Sequence, residues 1–144
     1  MTEKVEGDQF AKAAVLAPLL GAAVIGGMLL VVLGASGAEP GVSVGFTAMI
    51  LIVGLFWGVP FYVLFGLPLI WSALRQNLAS RPALAGVAFV ANLLAALIHS
   101  VLEGLIAGQS STAALTLIIG SGVAPIWGAC FAYLYTPSKH RRLL

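Results

Sequence analysis

The feature that most constrains this chain is the spacing of its charges. Lys12, Glu39, Arg75, Arg81, Glu103 and Lys139 bound four stretches free of Asp, Glu, Lys and Arg: residues 13–38, 40–74, 82–102 and 104–138. Each stretch can supply the roughly 20 apolar residues that a helix needs to cross a bilayer. Of the 144 residues, 60% are hydrophobic and 8% charged, and the mean hydropathy is +1.06. A soluble domain carries about 25% charged residues, and so short a chain cannot hide this much apolar surface from water. A disordered chain and a disulfide scaffold are excluded on the same composition. The single cysteine, Cys130, forms no intrachain bridge and reads as a small packing residue.

Backbone groups in hydrocarbon must satisfy one another, and continuous apolar runs lack the alternation of barrel strands, so the four stretches are helical. The expected fold is an all-α integral membrane protein, one antiparallel four-helix transmembrane bundle over 1–144. Its helices are placed at about 12–34, 43–67, 82–106 and 112–136. In that arrangement Lys4, Lys12, Arg75, Arg81, Lys139, Arg141 and Arg142, all the basic residues, fall on one side. The positive-inside rule then makes both termini cytoplasmic. Trp71, Tyr133 and Tyr135 sit near that boundary, as interfacial aromatics do. The short loops and basic asymmetry point to a multi-pass protein of the cell inner (plasma) membrane. The first helix is expected to be retained: its apolar run exceeds the 7–15 residues typical of a signal peptide, and Glu3, Glu6 and Asp8 precede it. The net charge of +2 reads as a topology signal, so the partner is the lipid bilayer and no nucleic acid is expected.

Pro60 and Pro68 interrupt the second run and Pro125 the fourth. Each removes a backbone donor and crowds the preceding turn, so hinges are expected at Pro60 and Pro125, with Pro68–Leu74 as a short interfacial piece. Gly120, Ala124, Gly128 and Ala132 make a small-residue stripe on the fourth helix, and Ala22 with Gly26 does so on the first. Such stripes let backbones approach closely, within the chain or between copies. Trp57-Gly58-x-x-Phe61 on the second helix is echoed by Trp127-Gly128-x-x-Phe131 on the fourth, as a duplicated hairpin would leave it.

Polar residues at membrane depth mark where function is expected. The third helix carries Asn92, His99 and Glu103, spaced by seven and four and therefore on one face. Asn92 lies near mid-membrane and is expected to hydrogen-bond another helix, as packing glue or as a substrate ligand. His99 and Glu103, one turn apart near the external end, form a candidate proton- or cation-responsive pair or an interfacial pair in contact with headgroups.

Enzyme chemistry is not expected. Gly34-Ala35-Ser36-Gly37 resembles the Gly-x-Ser-Gly pattern of rhomboid intramembrane proteases over four residues, which implies a serine hydrolase with His99 as partner base. Rhomboids place that serine at the start of a helix in a bundle of at least six; here it follows the first of four, as a Gly/Ser terminator does. No cofactor is expected. His99 and His140 fall on opposite sides of the membrane, and no metal cluster or nucleotide motif is present. The leading expectation is a small polytopic protein acting by helix–helix association with itself or with other membrane subunits, as an accessory or assembly subunit. The alternative is a small oligomeric transporter or channel using the polar face of the third helix. A remoter one is an intramembrane hydrolase at Ser36.

Overall fold

The computed structural model describes residues 6–106 and 111–135. Lys4, the Lys139–Arg142 cluster with His140, and the loop at 107–110 lie outside the described residues. Among those described the chain is all helix: α1 (Gly7–Ala35), α2 (Pro40–Phe61), a π-helical segment (Tyr62–Gly66), α3 (Leu67–Arg75), α4 (Arg81–Ile106) and α5 (Ser111–Leu134). Counting Pro40–Arg75 as one continuous run, four helices are long and apolar enough to cross a membrane. The chain is a small multi-pass membrane protein. Its lateral surface agrees: Phe56, Leu105 and Ile106 are all more than three-quarters exposed, which a water-facing surface would not sustain.

Each helix end has a local cause. Asp8 in the first turn of α1 pairs with Lys12 at 2.8 Å, a charge suited to the positive end of the helix dipole. The helix stops at Ser36 because Gly37 adopts φ +78°. Gly37 N–H then donates to Gly34 and Ala38 N–H to Leu33, a Schellman close that a glycine permits at little cost. Ser36 Oγ donates to the Leu33 carbonyl at 2.7 Å. The serine of the rhomboid-like motif therefore caps a helix end. Pro40 opens α2 at a first-turn position, where its missing N–H costs nothing. Asn77, at φ 62°, closes α3 in the same way as Gly37, and Ser80 Oγ accepts from Ala83 N–H to start α4.

The second run is longer than expected, a continuous 36 residues, or about 54 Å at 1.5 Å per residue. A hydrocarbon core is about 30 Å thick. The helix passes through Pro60 and changes register at Tyr62–Gly66, where Leu67 N–H donates five residues back to Tyr62. Pro68 has no N–H for the Leu64 carbonyl and its ring crowds that group. The wider register accommodates it. Beyond it, α3 is one-sided, burying Ile70, Ala73 and Leu74 and exposing Ser72 and Arg75.

Helix α5 is the centre of the bundle, packed most extensively on α4, next on α1, and also on α2. Its glycines make this possible. A Cβ at Gly128 would overlap the Leu84 carbonyl and lie 2.8 Å from Ala88 Cβ, so the α4 and α5 backbones touch there. Gly26 of α1 receives Leu51 and Thr47 of α2. The densest packing gathers at the Arg75–Arg81 end. There Phe10 meets Trp71 edge-on at 4.7 Å and Phe131 at 5.2 Å, and Phe131, Ile70 and Leu84 are sealed. Tyr135 stacks on Phe131 and is buried, while Tyr133 is exposed beneath the Arg81 guanidinium at 5.1 Å. Packing is looser toward the middle of the bundle, where a cavity opens.

Candidate functional site

A cavity of about 300 Å³ lies between α2, the π segment, α4 and α5. It exists because small residues from all three sides meet there: Gly54 and Gly58, Ala91 and Ala95, Gly120 and Ala124. The rings of Trp57, Phe61, Tyr62 and Trp127 complete the wall, and none of the described lining residues is charged. Its volume is at the lower end of the roughly 300–1,000 Å³ of small-molecule sites. It is about twice the ~150 Å³ apolar cavity known to admit benzene. Val53 and Trp57 form part of the wall while remaining 46% and 45% exposed, so the cavity adjoins the lateral surface of the bundle.

Trp127 is held at both ends. A Cβ at Gly21 of α1 would fall 2.9 Å from its Nε1, and a Cβ at Gly58 of α2 would fall 3.0 Å from its Cη2. The indole thus bridges α1 and α2 through α5, and Tyr62 meets it edge-on at 5.4 Å. The two Trp-Gly-x-x-Phe motifs therefore converge on one place: Trp127 of one covers Gly58 of the other, and both tryptophans line the cavity.

Asn92 is on the cavity wall, 8% exposed. Its amide occupies the space beside Gly120 that a side chain there would fill. The interhelical hydrogen bond expected for it is not formed: Asn92 Nδ2 is buried and has no partner among the described residues. Gly120 is the reason, because it offers the amide room but no side-chain acceptor. Its backbone is already committed to the helix. Tyr62 Oη and Trp127 Nε1 are likewise buried without a partner, the latter on the side facing Gly21.

His99 and Glu103 do not line the cavity. They stand beyond it and are joined to it by other residues. His99 Nε2 lies 3.5 Å from Glu103 Oε1, and His99 Nδ1 lies 3.4 Å from Thr116 Oγ1, with both His99 and Glu103 side chains mostly buried. A carboxylate only accepts, so Nε2 carries the proton toward Glu103. Nδ1 is then the ring nitrogen that meets the Thr116 hydroxyl, which can donate or accept. Both distances are at the long limit of hydrogen bonding. The imidazole also stacks on Phe61 at 5.6 Å and on Trp57 at 6.2 Å. Thr116, Trp57 and Phe61 are shared between this cluster and the cavity wall. The arrangement places a hydrogen-bonding cluster at the rim of an apolar chamber.

Asn92, His99 and Glu103 share a helix face as the spacing requires, but they serve two places, wall and rim. Gly120 and Gly128 spend their smoothness on α4, and Gly26 on α2, within the chain. Ala124 lines the cavity and Ala132 packs against the core. The residues that sequence reasoning missed are Thr116, Tyr62 and the cavity roles of Trp57, Phe61 and Trp127. The repeated Trp-Gly-x-x-Phe motif carried that signal for the rings; a lone threonine on an apolar helix carries none. No group of three or more His, Cys, Asp or Glu side chains able to hold a metal ion occurs among the described residues. Compared with known proteins, the chain matches no family model, no curated protein and no solved structure.

Proposed function

We propose that this protein is a non-enzymatic multi-pass protein of the inner (plasma) membrane whose α2–α4–α5 cavity takes an apolar molecule sideways from the bilayer. The observation that carries this reading is the cavity itself: about 300 Å³, walled by aromatic and small residues without charge, beside an exposed flank at Val53 and Trp57. A native core leaves few voids larger than a water molecule, so a chamber of this size at the junction of three helices suits a ligand. The bundle is antiparallel with both termini cytoplasmic, on the strength of the basic residues. Pro60 and Pro125, on two of the helices that wall the chamber, act as hinges that let it open. His99 and Glu103 form its rim toward the external side, the position expected of a transport face.

The test is occupancy of the cavity. Gly54 lines the chamber and an added Cβ there meets nothing within 4 Å, so Gly54→Leu is chosen to occlude it, and its helix content by circular dichroism should match the wild type. Native mass spectrometry of the detergent-extracted protein with decylbenzene should show a one-to-one adduct, reduced at least tenfold in Gly54→Leu. Absence of the adduct, or an equal adduct in both, would overturn the reading.

A second reading, helix–helix association as an accessory subunit or a self-associating bundle, draws on Gly27, Gly34, Gly41 and Gly45. None of these has a neighbour within 4 Å to meet an added Cβ, so they leave close-approach surface unused by the chain itself. The same native mass measurement reads it directly, as a stoichiometric second copy or a foreign subunit.

A further inference from the structure

The chemistry of the chamber narrows its occupant, provided that the cavity binds from the bilayer as proposed above. No charged side chain among the described residues lines it, so a carboxylate, phosphate or ammonium group would be desolvated there with no counter-charge. The wall is not purely hydrocarbon either. Asn92, Tyr62 and Trp127 are each more than nine-tenths buried, and each carries a polar hydrogen-bearing atom without a partner. Trp127 Nε1 faces α1. Asn92 Nδ2 and Tyr62 Oη are themselves sealed where they stand, but both belong to residues on the chamber wall. The hydroxyl can donate or accept, whereas the amide nitrogen can only donate, so what Asn92 Nδ2 lacks is an acceptor. Asn92 χ2 is a broad two-fold torsion, so the amide can turn on its Cβ–Cγ bond and present Nδ2 to the chamber. The rings of Trp57 and Phe61 beside it offer flat faces against which another ring packs.

We infer that the occupant is an uncharged, mostly hydrocarbon molecule carrying a carbonyl next to a planar ring, the carbonyl accepting from Asn92 Nδ2 and the ring lying against Trp57 and Phe61. An acyl chain alone leaves the amide unsatisfied. A hydroxyl also accepts, but it brings a donor of its own that needs the Tyr62 or Asn92 oxygen as a partner, a demand that a carbonyl does not make.

A matched pair of probes tests this on the full-length protein in detergent: decyl phenyl ketone against decylbenzene, which differ by the carbonyl. A single buried hydrogen bond gives the ketone about a tenfold preference in the wild type. Asn92→Leu, which keeps the branching and heavy-atom count of the side chain, should bind both probes about equally. The infrared carbonyl band of the bound ketone should move to lower wavenumber in the wild type and return in Asn92→Leu. Equal binding of both probes to the wild type, or a ketone preference that survives Asn92→Leu, overturns this inference while leaving the cavity reading intact. Failure of both probes to bind overturns the cavity reading, and this inference with it. The comparison within the wild type decides the matter even if the variant does not fold.

Discussion

The side-chain amide of Asn92 fills the space that any side chain at Gly120 would need. The pair sits where α4 crosses α5 beside the cavity, so one glycine sets both the approach of two helices and the seat of the one amide on the chamber wall. Gly120→Ala should therefore force the amide out or the helices apart. An overpacked core site costs about 1–3 kcal/mol, and we expect a loss in that range for the detergent-solubilised protein, read as a fall in thermal midpoint. In Asn92→Ala the obstruction is gone, so adding Gly120→Ala there should cost much less. A double-mutant cycle reports the difference as a coupling energy. A cycle that closes to zero would show that the two residues do not share this space.

The same logic applies to Gly21 and Trp127, on the other side of α5. A Cβ at Gly21 would overlap the indole Cδ1, and the ring cannot retreat because Gly58 of α2 holds its far edge. Gly21→Val should displace Trp127, with a shift in tryptophan emission and a stability loss of about 1–3 kcal/mol. Gly27→Val, six residues along the same helix with nothing within 4 Å, should change neither. Similar behaviour of the two variants would remove Trp127 as the bridge between α1 and α2.

These two glycines show what could be read from the chain and what could not. Four apolar stretches between charges require four membrane helices, because backbone in lipid has no alternative. Glycine and alanine at four-residue spacing foretell close helix approach. The partner of each glycine is a matter of rotation about the helix axis and of tilt, which apolar sequence does not encode when every face is greasy. Gly120 and Gly128 belong to one stripe, yet one meets an amide and the other a backbone carbonyl. Asn92, His99 and Glu103 share a face by periodicity alone, but their division between wall and rim depends on where Thr116, Trp57 and Phe61 arrive from two other helices. The π segment at Tyr62–Gly66 was signalled by prolines on either side, though its register was not.

Asn92 also makes an unusual forecast for stability. Replacing a hydrogen-bonded buried amide normally costs stability, but Asn92 Nδ2 has no partner among the described residues. Removing such a group relieves a desolvation penalty of about 1–3 kcal/mol. Asn92→Leu, measured without added ligand, should melt at the same temperature as the wild type or higher. A clear loss of stability in Asn92→Leu and equally in the smaller Asn92→Val would mean that the amide is satisfied in the membrane and needs no acceptor from an occupant.

The rim separates by chemistry. His99 stacks on Trp57 and Phe61 and also joins Thr116 to Glu103. His99→Phe keeps the first role and removes the second; His99→Ala removes both. Aromatic pairs contribute about 0.5–1.5 kcal/mol beyond their buried area, while a hydrogen bond contributes about 0.5–1.5 kcal/mol net and less at the long distances found here. His99→Phe should thus stay within about 1 kcal/mol of the wild type, and His99→Ala should lose clearly more. If the cluster serves the chamber rather than the fold, the two variants should impair ligand entry alike despite their different stabilities, and Glu103→Gln should follow them. The rate of decyl phenyl ketone uptake from vesicles, followed by quenching of tryptophan emission by the aryl ketone, reads that property. An uptake rate that tracks stability across the three variants would assign His99 to packing alone.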